Sequence, residues 1–569
     1  MTRKYDISDI LPPEFRGRSR RVALSLFVRA ALNFLGVALL LPVLMLILDT
    51  QSIHTDPRLA QLYAWGGFAT DRAFVLTVCT GVVAVIVVKC LAVLGLYRIE
   101  RNFIYDLYRT LSRRLFIRYH DRGLDFIKNR NSAQLSRNVN VVCMAFVGGV
   151  LRPVAAITAE SLLLLLLLGS LFWCNFTAAL LTLGIFVPAV GCYYLLVRNR
   201  LNRYGEAENR AQREKARIVA DTFRGYADIE IADAFPRMLH AFDRTMDEVI
   251  ALRKREATVG MLPQLFTEIG VAAGMALLVA LGSGESEGEI RLLFGIFAVA
   301  ALRLMPSVRN ILAGWSTLRF NRYTLDILRS DDLAQPAGIP DAGDAQRLGL
   351  RRGIVVRDLA FRYADDRHEV LEGLSFEIRK GERVGIRGAS GAGKTTLFNL
   401  LLGFYRPTSG SIEIDGVPLT DRNRRAWQRS VGYVSQHVFL TDSTFAANVA
   451  LGCDPQRIDR RRVEEALDAA RMGDFVRGLP RGIDTPVGEC GCRLSGGQRQ
   501  RIGIARALYR RADVLFFDEA TSSLDNRTEE EVNRSIAELS ARNRELTLVV
   551  VAHRDSSLEY CDRILNIGE

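Results

Sequence analysis

Six histidines, four tryptophans and nine cysteines are all that 569 residues contain of these types. The cysteines form no paired CxxC set and no histidine cluster accompanies them, which argues against a zinc site and against an oxidised framework. Also missing is the composition of a disordered chain, because 49% of the residues are hydrophobic and mean hydropathy is +0.10. The first apolar run begins too late and is too long for a cleavable signal peptide. Positive charge is in excess: 75 Lys plus Arg face 63 Asp plus Glu, a net of +12. That balance suits a nucleic acid and the anionic inner face of a membrane equally well. The length calls for two or three domains, and the pairing of 49% hydrophobic with 24% charged residues suggests apolar stretches averaged with an ordinary soluble part.

The apolar stretches lie in the first half. Residues 161–197 carry no charge over 37 positions, about 55 Å as a helix and nearly twice the hydrocarbon thickness of a bilayer, so the run folds back on itself. Trp173, Cys174 and Asn175 are the natural turn, with an aromatic at the interface. With the other apolar runs this gives six spans, at about 22–48, 73–97, 145–172, 176–197, 258–282 and 290–315. The basic segments at 1–21, 98–122 and 198–217, against the acidic loop GSGESEGE, put both termini in the cytosol. Connections 98–140 and 198–258 are polar and helix-prone. They read as helices that continue out of the membrane, with short contact elements near 121–137 and 222–235. The expected domains are therefore a membrane domain over 1–328, a Pro/Gly/Asp-rich linker over 329–349 and a second domain over 350–569.

In the second domain short β-branched strands alternate with helices, the pattern of an α/β fold. Within it RVGIRGASGAGKTTLFNLLLGF reads strand, Gly-rich loop, helix, and Gly388, Gly393, Lys394 and Thr395 satisfy GxxxxGK[ST]. Glycines let backbone N–H groups approach phosphate oxygens, the helix N-terminus favours negative charge, Lys394 reaches the β and γ phosphates, and Thr395 offers a hydroxyl to Mg²⁺. Ser390, Gly391 and Thr396 complete the phosphate set. Downstream, VLFFDEA sets Asp518 and Glu519 at the end of an apolar strand expected beside the loop in a parallel sheet. Asp518 is read as holding Mg²⁺ through its water shell, and Glu519 as orienting or deprotonating the attacking water.

Between those motifs lies LSGGQRQRIGIARAL, and with it the second half resembles the nucleotide-binding domain of an ATP-binding cassette protein. The resemblance implies that Ser495, Gly496, Gly497 and Gln498 grip the γ-phosphate of ATP held by an opposite subunit. It makes Tyr363 the aromatic that stacks on adenine, Gln436 the glutamine that touches Mg²⁺ and the coupling elements, and Glu489 part of the segment facing the membrane half. Asp525 becomes the aspartate of the inter-subunit loop, and His553 the switch histidine that contacts the γ-phosphate. The sequence ends directly after RILNIG, where cassette domains of this kind usually continue for a hairpin and a helix.

Six spans and one cassette resemble a half-size ABC exporter: a membrane all-α six-helix domain with long cytosolic helical extensions, followed by an α/β P-loop cassette. That implies a homodimer with two equivalent ATP sites in the bacterial cytoplasmic membrane. Four of the ionisable residues within the spans are read as lying deep in the membrane. Lys89 and Arg303 lie roughly 24 Å and 20 Å below the outer interface, and Glu160 and Glu268 nearer mid-membrane. Snorkelling of Lys89 and an Arg303–Glu268 pair are the structural alternatives; doubled in a homodimer, Lys89 and Arg303 become four cations suited to a phosphate or pyrophosphate head group. FAVAALRLMPSVRNILAGW and the first span's LLPVLMLIL look similar to bacterial flippases of lipid-linked oligosaccharides, which implies a polyprenyl-pyrophosphate glycan as substrate. A multidrug or lipid A type exporter, a peptide exporter and a nucleotide-gated regulator or channel stand as the other readings. Intact Glu519 and His553 count against the last, and six spans count against soluble nucleic-acid-binding ATPases.

Overall fold

The structure, a computed structural model, describes residues 10–39, 54, 57–68, 70–174, 176–281, 287–330, 347–363, 368–389, 391–519, 526–552 and 558–567. It divides into two compact units, Met1–Ile339 and Pro340–Glu569, with the division inside the expected linker.

Six long helices overlap the segments read as spans, and residues 40–48 of the first segment lie outside the described residues. The helices are α1 (Arg16–Ala38), α2 (Asp71–Asp121), α5 (Arg152–Cys174), α6 (Phe176–Arg224), α8 (Phe235–Leu281) and α9 (Glu287–Phe320). Among the described residues four helices are long and apolar enough to cross a membrane. A fifth joins them if Thr182–Val197 and Asn199–Arg224, bent by 41°, make one span. The last expected span falls on α9, where residues 287–303 have no described side chains. The hairpin at Trp173 is as expected, with α5 ending at Cys174 and α6 starting at Phe176.

The helices do continue beyond the apolar runs. α2 has 51 residues, about 75 Å, far more than the ~30 Å hydrocarbon core requires. Its start is fixed by Thr70, whose hydroxyl accepts the Ala73 N–H. Short helices stand where contact elements were expected: α3 (Gly123–Lys128) and α4 (Ser132–Arg137) after α2, and α7 (Tyr226–Ile231) between α6 and α8. The α2 extension presents Leu107, Leu111 and Leu115 at i, i+4 spacing to Val142, Cys143, Phe146 and Val150, all buried. The helical stretch between α4 and α5 contains two π turns, Asn138–Val142 and Val147–Leu151.

In the second unit β1 (Gly353–Phe361), β2 (Leu371–Arg379), β4 (Ser409–Ile414) and β5 (Val417–Pro418) make an antiparallel sheet in the order β2-β1-β4-β5. A parallel sheet takes β6 (Val431–Val434), β7 (Val514–Asp518), β8 (Thr547–Val551), β3 (Arg383–Gly388) and β9 (Arg563–Ile567) in the order β6-β7-β8-β3-β9. This corrects one expectation: β7, which delivers Asp518, is not the neighbour of β3, because the fully buried β8 pairs with both. The two sites still meet because α10 (Lys394–Leu401) leans back over the sheet, with Phe398 edge-on to Phe516 of β7 at 5.3 Å between ring centroids. All five residues of β7 are buried, as a strand covered on both faces requires.

Candidate functional site

The loop between β3 and α10 is shaped by its glycines. Gly391 and Gly393 both have φ +87°, a conformation side chains resist, and a Cβ on Gly393 would stand 2.7 Å from Leu371 Cδ2. Into this loop the Lys394 ammonium donates to the carbonyls of Gly388 and Ala389 at 2.8 and 2.9 Å, with the residue only 5% exposed. A buried ammonium held by neutral carbonyls gains when phosphate oxygens become its partners. The two threonines separate: Thr395 is exposed, whereas buried Thr396 shares a 2.8 Å hydrogen bond with the Tyr363 hydroxyl. Tyr363 stands beside the loop with its ring edge-on to Phe361 and Tyr405.

At the carboxyl end of the sheet the structure brings together residues far apart in sequence. Gln436, in the loop after β6, donates through Nε2 to Glu519 Oε2 at 3.0 Å. Asp518 is buried and accepts from the Tyr433 hydroxyl at 3.2 Å. Burial and the Asp518 carboxylate push the Tyr433 phenol far above its ordinary range, which keeps it a donor. Glu519 has φ +49°, a left-handed conformation in a non-glycine residue, and its N–H donates to Val551 O at 3.0 Å. Such strain is held only where the surroundings dictate it, and it clusters at reacting groups.

Helix α11 (Gly496–Tyr509) opens on a reciprocal cap: Ser495 Oγ accepts the Gln498 N–H, and Gln498 Oε1 accepts the Ser495 N–H. The side chains thus serve each other within the chain, leaving the N–H groups of Gly496 and Gly497 at the helix start to face an anion. Buried Gln500, two residues on from Gln498, donates to Gln436 O at 2.7 Å and ties this helix to the loop that touches Glu519. Sequence reasoning missed Tyr433 and Gln500. The first sits in a strand as an apolar-patterned residue, and the second is one of two glutamines in QRQR with nothing local to distinguish it. Ser390, Asp525 and His553 lie outside the described residues, and Glu489 is exposed ahead of the cap.

These residues fit a nucleotide triphosphate and a hard cation. The loop faces open space at Gly391, Lys394 is buried inside it, and the adjoining donors are carboxylate, amide and hydroxyl oxygens of the kind Mg²⁺ takes.

In the membrane unit two of the expected ionisable residues, Glu160 and Glu268, accept hydrogen bonds from neighbouring amides. Lys89 is half-buried, with Nζ 3.1 Å from the place a Cβ on Gly36 of α1 would occupy, so the missing side chain makes room for it. Glu160 accepts from Asn310 at 3.1 Å, linking α5 to α9, and Glu268 accepts from Gln264 one turn earlier at 2.9 Å. The side chain of Arg303 lies outside the described residues. A pair that the sequence did not reveal is Arg29 on α1 with Glu100 on α2, 2.7 Å apart, their side chains 12% and 8% exposed.

The family model described as ABC transporter matches residues 371–522. A protein of Burkholderia orbicola named ATP-dependent lipid A-core flippase is 33% identical over 411 residues, 71% of this chain and 67% of that protein. One of Burkholderia pseudomallei with the same name is 32% identical over 456 residues, 79% of this chain and 75% of its own. Among solved structures, that of a bacterial Atm1-family ABC exporter with ATP bound superposes with a TM-score of 0.75 at 25% identity, covering 97% of this chain and 93% of that one.

Proposed function

The chain belongs to the ABC transporter family as a half-size exporter whose ATP hydrolysis is coupled to transport, and on that premise we propose that it flips a lipid-type substrate across the cytoplasmic membrane as a homodimer. The lipid reading is carried by the relatives that bear the name lipid A-core flippase and match two thirds or more of their length. They make a lipid A-core glycolipid the first candidate, ahead of the polyprenyl-pyrophosphate glycan expected from the spans. The basic segments support a cytosolic position for both termini.

In this reading the loop amides and Lys394 hold the phosphates of ATP, and Tyr363 borders the base. Thr395, Gln436 and Asp518 would hold Mg²⁺, which when bound supplies charge neutralisation at the phosphates. Tyr433 fixes one oxygen of Asp518, so that carboxylate keeps a defined direction. Gln436 fixes Glu519, which orients the attacking water and takes its proton. The signature residues Ser495 to Gln498, with Asp525 and His553, serve the site of the opposite subunit or its γ-phosphate. The Gln500–Gln436 bond gives movement of α11 a direct path to the hydrolytic side chains. Long helices α2, α6 and α8, with α3, α4 and α7 at their turns, carry the closure to the spans.

Reconstitution in proteoliposomes with labelled lipids tests the proposal. ATP-dependent leaflet transfer of a lipid A-core substrate is the expected result, and ATP-dependent efflux of hydrophobic cations or peptides with no lipid transfer overturns it. Transfer of a polyprenyl-pyrophosphate glycan instead, lost in Lys89→Gln/Arg303→Gln with basal ATPase kept within a few-fold, would move the assignment to that substrate.

A further inference from the structure

Arg210, Arg213 and Arg217 recur at i, i+3 and i+7 along the cytosolic part of α6, which places them on one face of the helix. With Arg137 of α4 they line a cavity of about 240 Å³, whose one acidic residue is Glu214. Four guanidinium groups against one carboxylate leave a formal excess of three positive charges. Glu214 is itself committed to Arg217, accepting from Nη2 at 2.5 Å and from Nε at 3.1 Å, with Asp221 also approaching Arg217 at 3.9 Å. Buried Glu208, close by on α6, serves Arg253 and Gln212 instead. Arg137 donates to the neutral oxygen of Asn209 at 2.5 Å.

Arg213 is the residue in deficit. Its Nε is buried without a hydrogen-bond partner, and burial, then the charges of Arg137 and Arg210, pull its pKa below the ordinary guanidinium range. A cluster of like charges with an unsatisfied buried donor is costly on its own and becomes favourable when an anion enters.

We propose that this cavity binds a multiply charged phosphate group, either pyrophosphate or a phosphomonoester. A single carboxylate would leave two of the three excess charges unmet, whereas a phosphate offers three acceptor oxygens to planar guanidinium forks. The position says from where the group comes. Arg210 and Arg217 stand about 20 and 30 Å along the helix from Val197, the last residue of the charge-free run, beyond the thin interfacial layer that holds ordinary phospholipid head groups. The occupant is therefore a soluble phosphate compound or the far end of an extended head group, and the proposal does not depend on which lipid is transported.

The test uses the full-length protein in detergent, its cassettes saturated with a non-hydrolysable ATP analogue so that they do not take up the probe. Calorimetric titration with inorganic pyrophosphate should show binding that weakens as salt rises, while glutamate binds at least about tenfold less tightly. Arg210→Gln, at an exposed position with little risk to folding, should weaken pyrophosphate binding about tenfold. Arg213→Lys should weaken it as well, with analogue binding and melting temperature kept. A short-chain lipid pyrophosphate tested in parallel identifies the source by which of the two probes binds more tightly. Equal pyrophosphate affinity in the wild type and in Arg210→Gln, glutamate binding as tight as pyrophosphate, or no binding at low salt would overturn the proposal.

Discussion

Glu519→Gln separates chemistry from binding. The substitution keeps shape, and its amide oxygen can still accept from Gln436 Nε2, so the 3.0 Å contact that orients the side chain survives. Only the proton acceptor is lost. A positioned general base is worth roughly 10² to 10⁴ in rate, or about 3 to 5 kcal/mol of activation free energy, so turnover should fall at least about 100-fold while ATP affinity stays within a few-fold. The backbone supplies an independent check. At φ +49° a non-glycine residue carries roughly 1–2 kcal/mol of strain, which glycine does not have. Glu519→Gly should therefore keep or raise the melting temperature while losing turnover, a combination that a merely structural carboxylate does not give. The assays are phosphate release, equilibrium nucleotide binding and thermal unfolding on the three proteins. Near wild-type turnover in Glu519→Gln would refute the assignment of the base, and a marked loss of stability in Glu519→Gly would refute the strain argument.

Mixing subunits that carry Lys394→Ala with subunits that carry Ser495→Arg should restore ATP binding in verified heterodimers, because one site then combines two intact faces; no recovery would count against a composite site. Arg29→Ala should lower stability by about 3–5 kcal/mol by leaving Glu100 uncompensated, and Arg29→Met/Glu100→Gln should recover much of the loss, so additive effects in thermal melts would rule out the pair as a unit. Gly205→Val should destabilise by about 1–3 kcal/mol, because even a Cβ there would stand 1.8 Å from the Phe320 carbonyl oxygen; an unchanged melting temperature would mean α6 and α9 do not approach so closely.

What the sequence made legible is what chemistry confines to a few consecutive residues. A phosphate loop needs its glycines, lysine and threonine within one turn, so GASGAGKTT is recognisable without knowing where the rest of the chain goes. The absence of charge over 161–197 is likewise a local statement, and it located the α5–α6 hairpin at Trp173. The polar, helix-prone character of 98–140 and 198–258 is also local, and α3, α4 and α7 stand at the turns of those extensions.

Sheet order and side-chain partnership are set by contacts between distant segments, and there the sequence was silent. Tyr433 reaches Asp518 across 85 positions, Arg29 reaches Glu100 across 71, and β8 enters between β7 and β3 although it follows both in the chain. The arginine stripe at 210, 213 and 217 shows both sides of the distinction. Its period is readable on α6 alone, where it served only to orient the helix in the membrane. Its meaning depends on Arg137, brought over from α4, on Glu214 being taken up by Arg217, and on Glu208 being engaged by Arg253 and Gln212. A charge pattern along one helix therefore fixes which face is cationic, and only the neighbouring elements decide whether that face is neutralised within the fold or left to take its counter-charge from outside.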